Sequence, residues 1–187
     1  MNQHKQHHPL ASQSSIHCAQ NLFVHQLIMS RTIYLIIYKS PIFPAHWALW
    51  IPSQNDPTIG KIINADGDAK YGFELAIERN YDTDQIGRTH RIVQLGQVED
   101  NAVDDDDGCV KGELTSTDCH PRDAVERVAM GVPAPGPSLV SALSSGPRQR
   151  VRIKNCQTWL REVVERLVHE KIIDKQALVV LDGAPKN

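Results

Sequence analysis

The amino-acid sequence predicts one α+β domain, and three features predict it. Short β-branched and aromatic runs recur between residues 32 and 98, each followed by a turn signal. A long amphipathic helix, Asn155 to Glu170, comes after them. The 187 residues, 41% of them hydrophobic, are enough for one buried core and hardly enough for two.

The domain is expected to span residues 29–187. Residues 1–28 are rich in Gln, His and Ser, with His4, His7 and His8 clustered, and lack the basic start and clean apolar stretch of a signal peptide. They read as a disordered or spurious N-terminal extension. Thr32 to Tyr38 (TIYLIIY) is apolar without alternation, the pattern of a strand buried on both faces. Prolines in Lys39 to Pro44 end it, and Ala45 to Ile51 forms the next strand. Gly60 to Ala65 is a third, closed by a turn at Asp66-Gly67-Asp68. Phe73 to Arg79 alternates as a strand does, with a short helix as the alternative, and His90 to Val98 is a further strand. The acidic stretch 100–108, with Asp104 to Asp107 adjacent, reads as a solvated loop, because a calcium loop needs spaced ligands.

Asp118 to Gly131 is predicted to be helical, with Pro121 in its first turn and Asp118 or His120 as its cap. A Pro/Gly/Ser-rich loop covers 132–149, and Arg150 to Ile153 suggests a short strand. In the last helix Asn155 is the N-cap, and Trp159, Leu160, Val163, Val164 and Leu167 form the buried stripe. Ile172 to Leu181 is a closing strand or a short helix.

The chemistry concentrates at Cys156. A thiolate just after an N-cap is stabilised by free backbone N–H groups and the helix dipole. Those N–H groups could also hold an oxyanion. A cysteine nucleophile needs a base, and His46, at the start of an apolar strand, is the candidate expected to face it. Asn64 on the neighbouring strand is the candidate that orients the imidazole. Against this stands the ordinary reading of each residue alone: a buried free cysteine is common and inert, and a histidine at a strand start is more often structural. Trp47, Trp50 and Trp159 either line a substrate pocket, with Gln157 beside the thiol, or fill core.

The patches His46-Trp47-Ala48-Leu49-Trp50, Gly60-Lys61-Ile62-Ile63-Asn64 and Asn155-Cys156-Gln157-Thr158-Trp159 resemble, in the same chain order, the permuted papain-like proteins typified by lecithin:retinol acyltransferase. They also resemble uncharacterised fungal proteins with the same His-Trp-Ala and Asn-Cys signatures. The resemblance implies an antiparallel sheet of about five to six strands packed against the Cys-bearing helix. It implies Cys156 as nucleophile, His46 as base and Asn64 as orienter. The chain departs from the acyltransferases in having Asn64 where they usually carry His, Gln157-Thr158 where they carry Glu-His, and a polar end, Asp182 to Asn187, where many have an apolar anchor.

Two functions compete. One is a cysteine-dependent hydrolase or acyltransferase acting on an amide, ester or thioester of a small molecule, lipid or peptide. The other is a non-catalytic binding module that keeps the fold. A net charge of -2 argues against a nucleic-acid partner, and the basic stretch Arg148, Arg150, Arg152 and Lys154 reads as a solvated face. No apolar run reaches the ~18 residues of a membrane span, so no transmembrane anchor is expected. Cys18, Cys109, Cys119 and Cys156 show no Cys-x-x-Cys spacing and are expected as free thiols of a cytoplasmic protein, with the nucleus as the alternative. Cys119-His120 hints at zinc, but no spacing supplies two more ligands, so neither metal nor cofactor is expected. His169, near a helix C-terminus, is accounted for by the dipole.

Overall fold

A computed structural model describes residues 29–105, 110–138 and 153–187. The N-terminal extension, Cys18, Cys109, most of the basic stretch and the suggested strand before Ile153 lie outside the described residues, as does the greater part of the 132–149 loop. Among the described residues there are six strands: β1 (Ser30–Tyr38), β2 (His46–Pro52), β3 (Ile59–Asp68), β4 (Gly72–Asp82), β5 (His90–Glu99) and β6 (Ser116–Asp118). They form one open sheet in the order β5-β1-β2-β3-β4-β6, and every described pairing is antiparallel. Three helices follow: α1 (Ala124–Met130), α2 (Cys156–His169), which bears the cysteine, and α3 (Gln176–Gly183). The protein is therefore α+β.

The sheet buries apolar side chains on both faces, which is why β1 reads as continuous hydrophobic sequence. One face carries Ile33, Leu35, Ile37, Trp47, Leu49 and Ile63, and packs with Trp159, Leu160, Val163, Val164 and Leu167 of α2 in a single cluster. The opposite face carries Ile36, Tyr38, Ala48, Trp50 and Ile62, with Tyr34, Tyr81 and Ile86 against them. Each fully buried Leu, Ile or Val contributes roughly 1.5–3 kcal/mol relative to exposure, so the spacing of the α2 stripe fixes which face of the helix meets the sheet.

Three expectations change. Asp66-Gly67-Asp68 is not the turn: β3 continues to Asp68, and Gly67 pairs with Phe73 on β4. Gly67 holds φ 139°, a conformation that L side chains avoid, so the Asp-Gly step serves an extended strand end. The reversal comes two residues later, where the backbone N–H groups of Lys70 and Tyr71 donate to the Asp68 carboxylate at 2.7 and 2.9 Å. The helix expected from Asp118 begins at Ala124, because Asp123 accepts from the Glu126 N–H at 2.7 Å and is the true cap. Asp118 instead ends β6, a three-residue strand too short to leave a periodicity, opposite Ile77. Of the two alternatives for the C-terminal segment, the helix is the one formed.

A buried ionic cluster fastens α1 to the sheet. Glu126 is fully buried and accepts a forked pair of bonds from Arg79, at 2.9 and 3.1 Å. Lys61 reaches both Glu126 and Asp123, and also donates to the Asp104 carbonyl at 2.8 Å. Arg31 holds Asp100 and Asp105. The described part of the acidic stretch is thus anchored by buried cations rather than simply solvated. Burial pushes the Glu126 carboxyl pKa up, but the bonds from Arg79, Lys61 and the Arg122 N–H outweigh this and hold it down at about 2.

Glu126→Gln should therefore leave two buried cations under-compensated and cost about 3–5 kcal/mol in urea unfolding. A folded pKa below the ordinary value near 4.5 means stability present above that pH and lost as pH falls toward 2. The variant should show a shallower acid loss across that window. Equal acid sensitivity of the two proteins would contradict the role assigned to this carboxylate.

Candidate active site

The site begins with an incomplete ladder. β2 and β3 pair from Pro52↔Gly60 to Leu49↔Ile63, and the pairing stops there. Beyond that point His46, Trp47 and Ala48 pair with β1, while Asn64, Ala65 and Asp66 pair with β4. The two central strands separate and leave a fork. The paired half is tight: a Cβ on Gly60 would lie 2.2 Å from the Ile51 carbonyl oxygen.

Cys156, the first residue of α2, is seated beside the β2 arm of this fork. Asn155 accepts from the N–H groups of Gln157 and Thr158, each at 3.1 Å, and its own N–H donates to Thr158 Oγ1 at 2.8 Å. This reciprocal capping box fixes the first turn. Gln157 Nε2 donates to the Ala45 carbonyl at 2.7 Å and the Lys186 carbonyl at 3.0 Å. Ala45 N–H donates to the same Lys186 carbonyl at 3.0 Å, and Trp47 Nε1 to the Pro185 carbonyl at 3.0 Å. The C-terminal residues thus tie the start of β2 to the start of α2.

Burial and helix position act on the thiol in opposite directions. Desolvation pushes the Cys156 pKa up, whereas the backbone N–H groups of Trp47, Gln157 and Cys156 favour the anion. Desolvation wins, so the dipole-stabilised thiolate expected from the sequence is not the resting form. The half-buried His46 is shifted in the complementary sense. Burial lowers its pKa, Asp66 raises it and Arg88 lowers it, with a net decrease. The resting site is a neutral thiol and a neutral imidazole.

The expectation that the two groups face each other is not met, because strand alternation puts His46 on the face away from α2 and they lie on opposite faces of the sheet. Cys156 belongs to the cluster on the α2 face. His46, one residue before Trp47, lies with Tyr38 on the other face, at 5.8 Å between ring centroids. Among the described residues no direct hydrogen bond joins the thiol to the imidazole. What links them is the Trp47 N–H next to His46 and the Asp66 carboxylate, which acts on both. Asn64 is buried on the His46 face, donates Nδ2 to Glu78 Oε1 at 2.7 Å, and leaves Oδ1 without a partner.

The other expected site residues are placed differently. Trp47, Trp50 and Trp159 are buried in the core, on both faces, and Trp159 donates Nε1 to the Val132 carbonyl at 3.2 Å. Gln157 is engaged by backbone carbonyls. These four residues build the site's frame instead of an open wall. Sequence reasoning missed Asp66 because its Asp-Gly context reads as a turn. It also missed the third member of a compact group: Asp118, Cys119 and His120 offer ligand atoms within 4.8 Å of one another. Asp118 is already held by Arg79 at 3.1 Å and Arg122 at 3.3 Å, which competes with any cation. Both Asp66 and this group border an open cleft of about 880 Å³, with Phe73, Pro135 and Pro137.

Fold and site together define an α+β protein with a helix-borne cysteine set at a fork in its sheet. The chain belongs to a family of unknown function, DUF6540, whose pattern matches residues 33–174. No curated protein and no solved structure matches it. Among the described residues no helix is long and apolar enough to cross a membrane.

Because Cys119 is exposed and Cys156 buried, iodoacetamide at neutral pH should alkylate Cys119 first. Deleting residues 185–187 should speed labelling of Cys156 and leave Cys119 unchanged, read by peptide mass spectrometry. Unaltered Cys156 labelling in the truncated chain would show that the C-terminal ties do not hold the site closed. Asn155→Ala should cost about 1 kcal/mol in thermal or urea unfolding through loss of the cap.

Proposed function

We propose that this chain is a cysteine-dependent hydrolase or acyltransferase of permuted papain-like type, acting on an amide, ester or thioester. The observation that carries the reading is Cys156 at the first position of a capped helix, with the N–H of Trp47, the neighbour of His46, beside its sulfur. As sulfur attacks the substrate carbonyl, the thiol proton passes to the imidazole of His46 and a C–S bond forms. The carbonyl π electrons move to oxygen, where the N–H groups around the sulfur stabilise them. Collapse expels the alkoxide, amine or thiolate, which takes the proton from His46. Water or another acceptor then loses a proton to His46 and attacks the thioester, the C–S bond breaks, and His46 returns the proton to the departing Cys156 thiolate. The scheme requires the imidazole to reach the sulfur around the end of the sheet when substrate binds, since the resting groups lie on opposite faces.

The three site residues have separable duties in this scheme: Cys156 is the nucleophile, His46 the proton carrier, and Asn64 offers a buried acceptor on the imidazole's face. The neutral imidazole is the competent base, and its pKa lies below 6.5, so acylation should persist into mildly acidic solution and fall only below that value. A second reading, a binding module without turnover, is favoured by the burial and raised pKa of the thiol.

Incubation with p-nitrophenyl acetate and a short acyl thioester should give an acyl adduct on Cys156, located by mass spectrometry. The adduct should vanish in Cys156→Ser and form at least about a hundredfold more slowly in His46→Gln. Acylation confined to Cys119, or indifferent to His46, would replace the enzyme with the module.

A further inference from the structure

The turn from β1 into β2 has an apolar apex that neither the core nor the acyl-transfer scheme uses. Ile42 is 82% exposed and Phe43 is 70% exposed. A single exposed apolar side chain is ordinary, but two adjacent ones at the tip of a turn form a patch. The turn is also held in shape. Ser40 Oγ accepts from the Phe43 N–H at 3.1 Å and from the Ile42 N–H at 3.4 Å. Pro41 and Pro44 stand on either side of the pair and fix the backbone there. The apex is thus preset to present Ile42 and Phe43 outward.

The charges around it have one sign. β1 meets β2 at Tyr38↔His46 and β5 at Tyr38↔His90, so the starts of both strands lie beside the turn. The Lys39 N–H donates to the Thr89 carbonyl at 3.0 Å, and the Ala45 N–H to the Lys186 carbonyl at 3.0 Å. These bonds bring residues 86–91 and 183–187 alongside residues 38–46. The three segments together carry Lys39, Arg88, Arg91 and Lys186, all exposed, and contain no Asp or Glu. The carboxylates at this end of the sheet, Asp66, Asp68 and Glu74, belong to β3 and β4, on the side of β2 away from β1 and β5. The corner made by β5, β1 and the start of β2 is therefore basic around an apolar tip.

A specific protein interface buries about 1,000 Å² or more around a packed centre. Two side chains on a convex turn do not supply that. A lipid surface needs no pocket: apolar side chains enter the boundary between headgroups and acyl chains, and cations stay with anionic headgroups. We propose that the β1–β2 turn is a docking tip for an anionic lipid bilayer, with Ile42 and Phe43 inserted and Lys39, Arg88, Arg91 and Lys186 on the headgroup phosphates. Docking in this way brings the start of β2, with His46, to the lipid surface. The tip does not depend on Cys156 and His46 forming an acyl-transfer site.

The test is co-sedimentation of the full chain with vesicles at physiological salt. The native chain should pellet with vesicles of equal parts phosphatidylcholine and phosphatidylserine, and bind pure phosphatidylcholine at least about tenfold more weakly. The double variants Ile42→Ser/Phe43→Ser and Lys39→Gln/Arg91→Gln should each bind the mixed vesicles at least about tenfold more weakly than the native chain. All four positions are exposed, so both variants should melt as the native chain does. In Phe43→Trp, brominated acyl chains should quench the new emission, while Trp47, Trp50 and Trp159 stay buried and unquenched. Undiminished binding of Ile42→Ser/Phe43→Ser, or an unquenched Trp at position 43, overturns the inserted tip. Equal binding to the two kinds of vesicle overturns the role of the cations. A native chain that binds neither overturns the lipid surface as partner and turns the tip over to a protein. Vesicle binding in a chain whose Cys156 is not acylated supports the tip and counts only against the enzyme.

Discussion

The structure depends on the point at which β2 and β3 stop pairing. A sheet whose central ladder ran to its end would keep its two faces apart, with the α2 core on one side and the Tyr38 cluster on the other. Because the ladder ends at Leu49↔Ile63, the backbone of His46 to Ala48 is paired with β1 and not with β3. The first turn of α2 is fastened beside the start of β2, by its own capping box and by Gln157 bonding to the Ala45 carbonyl. On the proposed reading, the end of this ladder is where a sulfur from one face and an imidazole from the other meet around substrate.

The sheet divides its labour along its length. At the paired end, Lys61 and Arg79 are buried and neutralised by Asp123 and Glu126, and α1 is held by that cluster. Buried charges of this kind are costly to separate, which makes the paired end a stiff anchor. At the open end the charges are not balanced in the same way. Asp66 faces Glu74 across the ladder, and the buried Asn64 retains an unused acceptor. Groups left without structural partners are what a site has available for chemistry.

Much of this was legible in the sequence, because the legible parts follow from periodicity and local hydrogen bonding. TIYLIIY announces a doubly covered strand. Asn155 announces a helix start, though the reciprocal bond from Thr158 is apparent only in three dimensions. What was not legible depends on register and burial. Asp66-Gly67 looks like a turn until the strand is seen to run through it. β6 is too short to leave a pattern. The three tryptophans could line a pocket or fill a core, and only the packing of both faces decides for the core. The thiol's ionisation turned on a competition: a helix start favours the anion and desolvation opposes it, and sequence carries the first effect but not the second.

The central claim is that Cys156 and His46 share one site through the fork. It can be tested directly by placing a charge on the sulfur and reading the imidazole. In a chain whose other cysteines are replaced by serine, Cys156 is alkylated with iodoacetate, which adds a carboxylate, or with iodoacetamide, which adds a neutral group of similar size. The His46 titration should rise to higher pH in the carboxymethylated protein relative to the neutral adduct. Identical His46 titrations in the two adducts would show that sulfur and imidazole occupy separate environments, and the account of the site would be wrong.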